Sequence, residues 1–355
     1  MSWRDARNLL CVRLDGLGDV LMTSPALRAC RESFGCRITL LTSPAGAAVA
    51  ALVPEVDECI VFAAPWMKAA GASRVHDAAM IRRLARGRFD AAVIFTVYSQ
   101  SPLPAAYLAY LAGIPRRLAH CRENPYELLT DWVREPEPAE RVRHEVERQM
   151  DLVAAVGART AHTGLSFRVP APARRRVRAL LEERPRPLVV VHPGASAPSR
   201  RYPPEQYAAA VDLLIQEVGG EAVFTGDAGE EPLVAGVLAR MRQPARSLAG
   251  RLSLAELGAL VEAADLVISN NTGPAHIAAA LGTPVVDLYA LTNPQHTPWR
   301  VPSRVLFHDV PCRNCYKSVC PAGHHDCLRG VPPARVAQAA RELLSARALL
   351  SGAAA

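Results

Sequence analysis

Nowhere does this 355-residue chain carry an apolar run approaching the roughly 20 residues that a membrane-spanning helix requires. Its beginning, MSWRDARNLL, lacks the long apolar stretch and small-residue cleavage site of a secretory leader. Both absences lead to the expectation of a cytoplasmic protein, able to rest on a membrane but not to cross one. Aromatic residues are scarce, at 5%, and no dense basic stripe is interleaved with them. Nucleic acid is therefore not expected as a partner, despite a net charge of +7. That charge instead suits an anionic substrate or an anionic membrane surface. The nine cysteines are expected to be mostly thiols in a reducing compartment, with Cys11, Cys30, Cys36 and Cys59 as small core residues.

What is present is a repeating strand–helix pattern. Apolar runs at 8–14, 37–42, 58–63 and 90–96 read as strands, and helical periodicity follows over 20–33, 45–52, 74–86 and 103–112. The segment 140–157 is helical in period and ends at Gly157. A Pro- and Arg-rich stretch, 168–187, with a short helix over 174–183, reads as a connection between domains. A second series follows: strands at 187–192, 221–225, 264–269 and 285–289, and helices at 204–218, 253–263, 275–281 and 334–350. Such alternation predicts an α/β chain of two doubly wound parallel sheets. The expected layout is a first domain over 1–170, a linker over 171–187, a second domain over 188–333, and a terminal helix and tail over 334–355.

In an open parallel sheet, ligands bind where strands turn into helices at the carboxyl edge. The stretch SNNTGPAHIAAALGTP, 269–284, is such a turn. Free N–H groups of a first helical turn, beside the positive helix end, suit a diphosphate. Asn271, Thr272, Gly273, Pro274 and His276 are the candidate binding residues there, although Asn270, Asn271 or Thr272 could each be an ordinary helix cap. After the strand at 187–192 comes a second turn, with Ser196 and the guanidinium pair Arg200 and Arg201 available to an anion. Gly226 and Asp227 follow the next strand, and Leu252 lies in the loop before a helix. In the first half, Asp15-Gly16-Leu17-Gly18-Asp19 follows the first strand. Leu21 replaces the third glycine of a dinucleotide fingerprint, which disfavours a dehydrogenase. Asp19, a carboxylate at a helix start, reads equally as a helix-stabilising acid and as a proton acceptor at the sheet's edge.

Three stretches, VRLDGLGDVLMTSPAL at 12–27, HPGASAPSRRYPPEQY at 192–207 and SNNTGPAHIAAALGTPVV at 269–286, together resemble the family 9 glycosyltransferases, the bacterial ADP-heptose:lipopolysaccharide heptosyltransferases and their relatives. Supporting pieces are the His144-x-x-Glu147 helix and AGIPRRL at 112–118. The resemblance implies the GT-B fold, two Rossmann-like domains facing across a cleft, the first taking the acceptor and the second the nucleotide sugar. It also implies a terminal helix crossing back toward the first domain. Sugar transfer would invert the anomeric carbon and require no metal or other cofactor, with Asp19 as general base beside Gly18, and Arg200, Thr272, Gly273 and His276 stabilising the departing ADP. Leu252 matches the position that packs on the base. The implied donor is ADP-heptose or a related nucleotide sugar. The implied acceptor is a lipid-linked or oligosaccharide surface glycan reached at the cytoplasmic face of the inner membrane. Lys68, Arg116, Arg117 and Ser99-Gln100-Ser101 are candidate acceptor contacts.

Three positions depart from the family pattern. Asn271 replaces an acid, Ala290-Leu291-Thr292-Asn293-Pro294 replaces Gly-Pro-Thr-Asp-Pro, and Ala228 stands in place of a ribose-binding Glu, for which Asp227 or Glu230 can compensate. Near the end, CRNCYKSVCPAGHHDC places Cys312, Cys315, Cys320 and Cys327 within 16 residues. Four such cysteines can close a structural zinc site, but the C-x6-C spacing of the second pair suits a thiol pair or disulfide equally. Two other functions compete: a nucleotide-sugar epimerase of the same fold, and a zinc-stabilised binding protein with a decayed site.

Overall fold

A computed structural model describes residues 2–67, 74–181 and 186–352. They form two compact units, residues 1–168 and 169–355. The first unit runs β1 (Asn8–Arg13), α1 (Leu17–Phe34), β2 (Arg37–Thr42), α2 (Pro44–Ala50), β3 (Glu58–Val61), α3 (Arg74–Arg86), β4 (Ala91–Ile94), α4 (Leu103–Leu111), β5 (Arg116–Cys121), β6 (Asp131–Arg134) and α5 (Glu145–Ala154). Its strands make one six-stranded sheet, ordered β3-β2-β1-β4-β5-β6, and every pairing is parallel. The reversal of order between β1 and β4 brings the turn after β1 to the switch point of the sheet, where a crevice opens. Continuous apolar runs such as Leu9-Leu10-Cys11-Val12 are buried on both faces, as a parallel sheet covered by helices requires.

The second unit contains α6 (Ala171–Leu180), β7 (Leu188–His192), α7 (Pro204–Val218), β8 (Glu221–Phe224), α8 (Glu231–Leu238), β9 (Ala245–Ser247), α9 (Leu254–Ala263), β10 (Leu266–Asn270), α10 (Gly273–Leu281), β11 (Val285–Leu288), β12 (Ser303–Leu306), α11 (Asp326–Arg329) and α12 (Pro333–Gly352). Its sheet order, β12-β11-β10-β7-β8-β9, repeats that of the first unit. The switch point therefore falls between β7 and β10, the two strands that lead into the Arg200 and Thr272 loops.

One expectation changes. The stretch read as a linker holds α6, which packs on α9 with Arg174 paired to Glu262 at 2.6 Å and Arg176 to Glu256 at 2.7 Å. Burial of Ala173 and Val177 makes that helix part of the second unit rather than a connection. The terminal helix packs along α7 and against β10, β11 and β12 of its own unit, burying Val336, Ala340 and Leu343 in that core. The cysteines expected in the core divide: Cys11, Cys30 and Cys36 are buried, whereas Cys59 is half-buried.

Candidate active site

In the first unit the site is built on a buried cation. Arg13, the last residue of β1, is fully buried and meets three carboxylates. Its Nη1 donates to Glu145 Oε1 at 2.7 Å and its Nη2 to Asp19 Oδ1 at 3.0 Å, while Asp15 Oδ2 lies 2.9 Å from Nε. Burial works against the guanidinium's charge, but Asp15, Glu145 and Asp19 together raise its hold on the proton. Helix α1 begins at Leu17, so Asp19 stands in its first turn, where Oδ2 accepts the Gly16 N–H at 3.1 Å. Asp19 thus caps the helix, and it remains 21% exposed, unlike Glu145. Burial pushes Asp15 up to about 6 against the pull of Arg13. Gln100 Nε2 donates to Asp15 Oδ1 at 2.7 Å, which places Gln100 inside this cluster.

The other acceptor candidates are placed unequally. Arg117 is buried and donates to the carbonyls of Leu128 at 2.8 Å and Glu127 at 2.6 Å and to that of Ile114, so it clamps the loop before β6. Arg116 pairs with Asp131 at 3.6 Å, and Ser101 Oγ donates to Glu123 at 3.2 Å. Lys68 lies outside the described residues. A cavity of about 290 Å³ lined by Asn8, Arg37, Glu58 and Arg83 sits at the opposite, amino end of this sheet and has no part in the site.

In the second unit, β10 delivers Asn270 and Asn271 to the start of α10. Thr272 is the N-cap residue, its side chain does not cap the helix, and Gly273 and Pro274 open it. At that start Pro274 carries no N–H, and the Ala275 N–H donates to Thr272 O at 3.1 Å. His276 is buried on that first turn. Asn270 is fully buried and ties the two loops: Oδ1 accepts the Tyr202 N–H at 3.0 Å and Nδ2 donates to Pro193 O at 2.7 Å. Asn271, expected to meet the ligand, turns inward instead. Its Nδ2 donates to Asp287 Oδ2 at 3.1 Å and to His296 O at 2.6 Å, because both acceptors are buried and need a donor. Asp287 and Asn271 thus act as one unit that sequence spacing alone did not reveal.

Loop 193–201 carries exposed Ser196, half-buried Arg200 and exposed Arg201. Arg201 Nε donates to Ala195 O at 2.8 Å, so part of that guanidinium shapes the loop. Arg200 exerts a favourable field on the buried Asp287 carboxylate. Gly226 and Asp227 lead into a single turn in which Asp227 accepts the Glu230 N–H at 3.0 Å and Glu230 accepts the Asp227 N–H at 3.0 Å. The Glu230 carboxylate lies directly over Gly194; a Cβ there would meet its Oε1 at 2.0 Å. Burial raises Glu230 above its ordinary range and pushes His192, 3.7 Å away, down to about 4. At neutral pH His192 is accordingly a neutral imidazole, and this contact is not an ion pair. Leu252 is half-buried in the loop between β9 and α9.

The Cys-rich segment lies under these loops. Ser199 Oγ donates to Lys317 O at 2.8 Å and Ser199 N–H to Ser318 O at 3.1 Å, while Tyr316 N–H reaches Thr292 O at 2.9 Å. Cys312, Cys315, Cys320 and Cys327 are all free thiols. Cys312 Sγ lies 3.7 Å from His324 Nε2, but among the described residues no three Cys, His, Asp or Glu side chains converge to hold a metal ion. The segment's observed role is to brace the Arg200 and Thr292 loops.

Two Rossmann-like units of identical strand order, each with its polar loops at the carboxyl edge, make this a GT-B glycosyltransferase architecture. Residues 78–325 match glycosyltransferase family 9 (heptosyltransferase), and the chain belongs to that family. It is 26% identical over 355 residues to lipopolysaccharide heptosyltransferase 2 of Salmonella typhimurium, covering 95% of this chain and 98% of that one. A family 9 glycosyl transferase structure from Veillonella parvula superposes with a TM-score of 0.77 at 21% identity, covering 96% of this chain and 98% of its own. The structure of E. coli ADP-heptose lps heptosyltransferase II gives 0.74 at 24%, covering 95% and 98%. The chain is thus a glycosyltransferase. No described helix is long and apolar enough to cross a membrane.

Proposed function

We propose that this protein transfers heptose, with inversion and without a metal, from ADP-heptose to a lipopolysaccharide core or a related surface-glycan acceptor. The first unit would take the acceptor and the second the nucleotide sugar, at the cytoplasmic face of the inner membrane. The observation that carries the reading is Asp19: a partly exposed carboxylate fixed on both oxygens, in a chain similar end to end to a heptosyltransferase. Asp19 removes the proton from the acceptor hydroxyl as that oxygen bonds to the anomeric carbon. The bond from that carbon to the diphosphate breaks, and its electron pair leaves with ADP. Arg200, with Thr272, Gly273 and His276 at the start of α10, offsets the charge developing on the leaving group. Arg13 holds the base in place, and Glu145 holds Arg13.

Glu230, over Gly194, would meet a ribose in place of Ala228, whereas Asp287, behind Asn271, is fully buried and would not replace the missing acid. The test is ADP release from ADP-heptose with heptose-deficient lipopolysaccharide as acceptor. Acceptor-dependent release is expected, reduced at least about 100-fold in Asp19→Asn, the size of effect for loss of a general base. Arg13→Lys should lower kcat with little change in the KM for ADP-heptose. An Asp19→Asn enzyme of wild-type rate would overturn the assignment of the base. Release from another nucleotide sugar alone would overturn the donor.

A further inference from the structure

Helix α4, Leu-Pro-Ala-Ala-Tyr-Leu-Ala-Tyr-Leu, contains no charged residue, and none occurs between Pro102 and Ile114. A helix apolar all round belongs inside a protein or against another apolar phase. Yet α4 is a surface helix. Ala105, Ala106, Leu108 and Ala109 enter the core of the first sheet together with Met80 and Leu84 of neighbouring α3. That orientation leaves Tyr107, Tyr110 and Leu111 outward, 52%, 44% and 44% exposed. The two tyrosine rings stack at 6.5 Å with 13° between planes. Beside α4, on the short turn after β5, Tyr126 is 81% exposed. Together these side chains form an apolar, aromatic patch of the kind that marks an interaction site.

The neighbouring helix supplies the charge. On α3, burial of Met80 and Leu84 turns Arg82, Arg83 and Arg86 to solvent, and Arg88 follows the helix, also exposed. The acids near this face are Asp77 on α3, Glu127 beside Tyr126, Asp90 just past Arg88, and Glu58 across the cavity that Arg83 lines. Tyrosine places an apolar ring and a polar hydroxyl across a boundary between oil and water, and arginine reaches anionic headgroups from the same depth. We propose that the outward face of α4, with the basic face of α3 and Tyr126, docks this protein on an anionic lipid bilayer. The inference deepens the function proposed above, since a lipid-linked acceptor has to be met at such a surface. It places the membrane contact on the acceptor-binding unit.

The partner is a bilayer rather than a second copy of this chain because the solvent face of α3 is net basic, with Arg82, Arg83 and Arg86 against Asp77. Two copies of α3 brought together would repel. The test is co-sedimentation with vesicles of phosphatidylethanolamine and phosphatidylglycerol, against vesicles of phosphatidylcholine alone. The wild-type chain should pellet with the anionic vesicles and much less with the neutral ones. Tyr107→Ser/Tyr110→Ser/Leu111→Ser should weaken that binding at least tenfold. Arg82→Glu/Arg86→Glu should weaken it by more than about tenfold and remove its salt dependence, at about fivefold per arginine lost. Both variants should melt like the wild type, since the altered side chains face solvent, and should retain transfer to an acceptor oligosaccharide freed of its lipid.

Equal binding by wild type and both variants would overturn the proposal, as would no binding of the wild type to anionic vesicles. A dimer in sedimentation equilibrium that dissolves in the tyrosine variant, without vesicle binding, would reassign the face to a second copy. Vesicle binding is read without any sugar transfer. Failure of the ADP-release assay with vesicle binding intact would therefore remove the heptosyl reading and leave this surface standing.

Discussion

Asp287 lies on β11 with no solvent contact, and its Oδ1 has no hydrogen-bond partner among the described residues. Burial pushes its carboxyl up to about 7, against the donor from Asn271 and the field of Arg200. In an unfolded chain the same group ionises near 3.8. Between those values only the folded protein holds the proton, so this group's contribution to stability falls as pH rises through the window. Asp287→Asn removes that loss. Relative to the wild type it should gain about 3 kcal/mol between pH 5 and pH 8, at 1.36 kcal/mol per unit, read from urea denaturation at the two pH values. A difference independent of pH would refute the assignment. The wild-type profile alone will not reveal it, because buried His120 and His192, both pushed down to about 4, act oppositely. They keep the fold stable above the ordinary histidine range and destabilise it as pH falls toward 4.

The loops at the sheet edges are assembled by single side chains rather than by regular structure. Asn270 joins β10 to the loop after β7 through three hydrogen bonds, to Tyr202 N, Pro193 O and Gly194 O. Asn270→Ala should destabilise the second unit by about 3 kcal/mol, since it leaves buried backbone groups unpaired. It should also weaken ADP binding, measured by calorimetry, because Arg200 and the start of α10 lose their common anchor. Unchanged ADP affinity would show that the two loops do not act together. At this scale the strands with continuous apolar runs were legible from the sequence, and β5, β6, β9 and β12 were not. Those four read Arg-Arg-Leu-Ala-His-Cys, Asp-Trp-Val-Arg, Ala-Arg-Ser and Ser-Arg-Val-Leu, and three of them are edge strands. An edge strand keeps polar and charged residues in contact with water, so its pattern resembles a loop. Helix α8, short and closely following a turn, escaped for a related reason.

Over the whole molecule, the repeated strand order makes two units of one architecture with different loops. If the second unit takes the nucleotide, saturating ADP should slow amide hydrogen exchange in 193–200, 226–230 and 270–276. It should leave 13–19 of the first unit unchanged. Protection centred on 13–19 would reverse the roles of the units. The strand–helix alternation, the glycine- and proline-marked turns and the family motifs were determined by the order of residues alone, since each rests on period, local backbone preference or a contiguous stretch. The pairing of charges was decided only in the folded chain. Arg13 meets Glu145 across 132 positions, and Asn271 turns from ligand to Asp287. A buried charge takes whichever partner packing brings within reach, and packing is set by the topology of the sheet rather than by spacing along the chain.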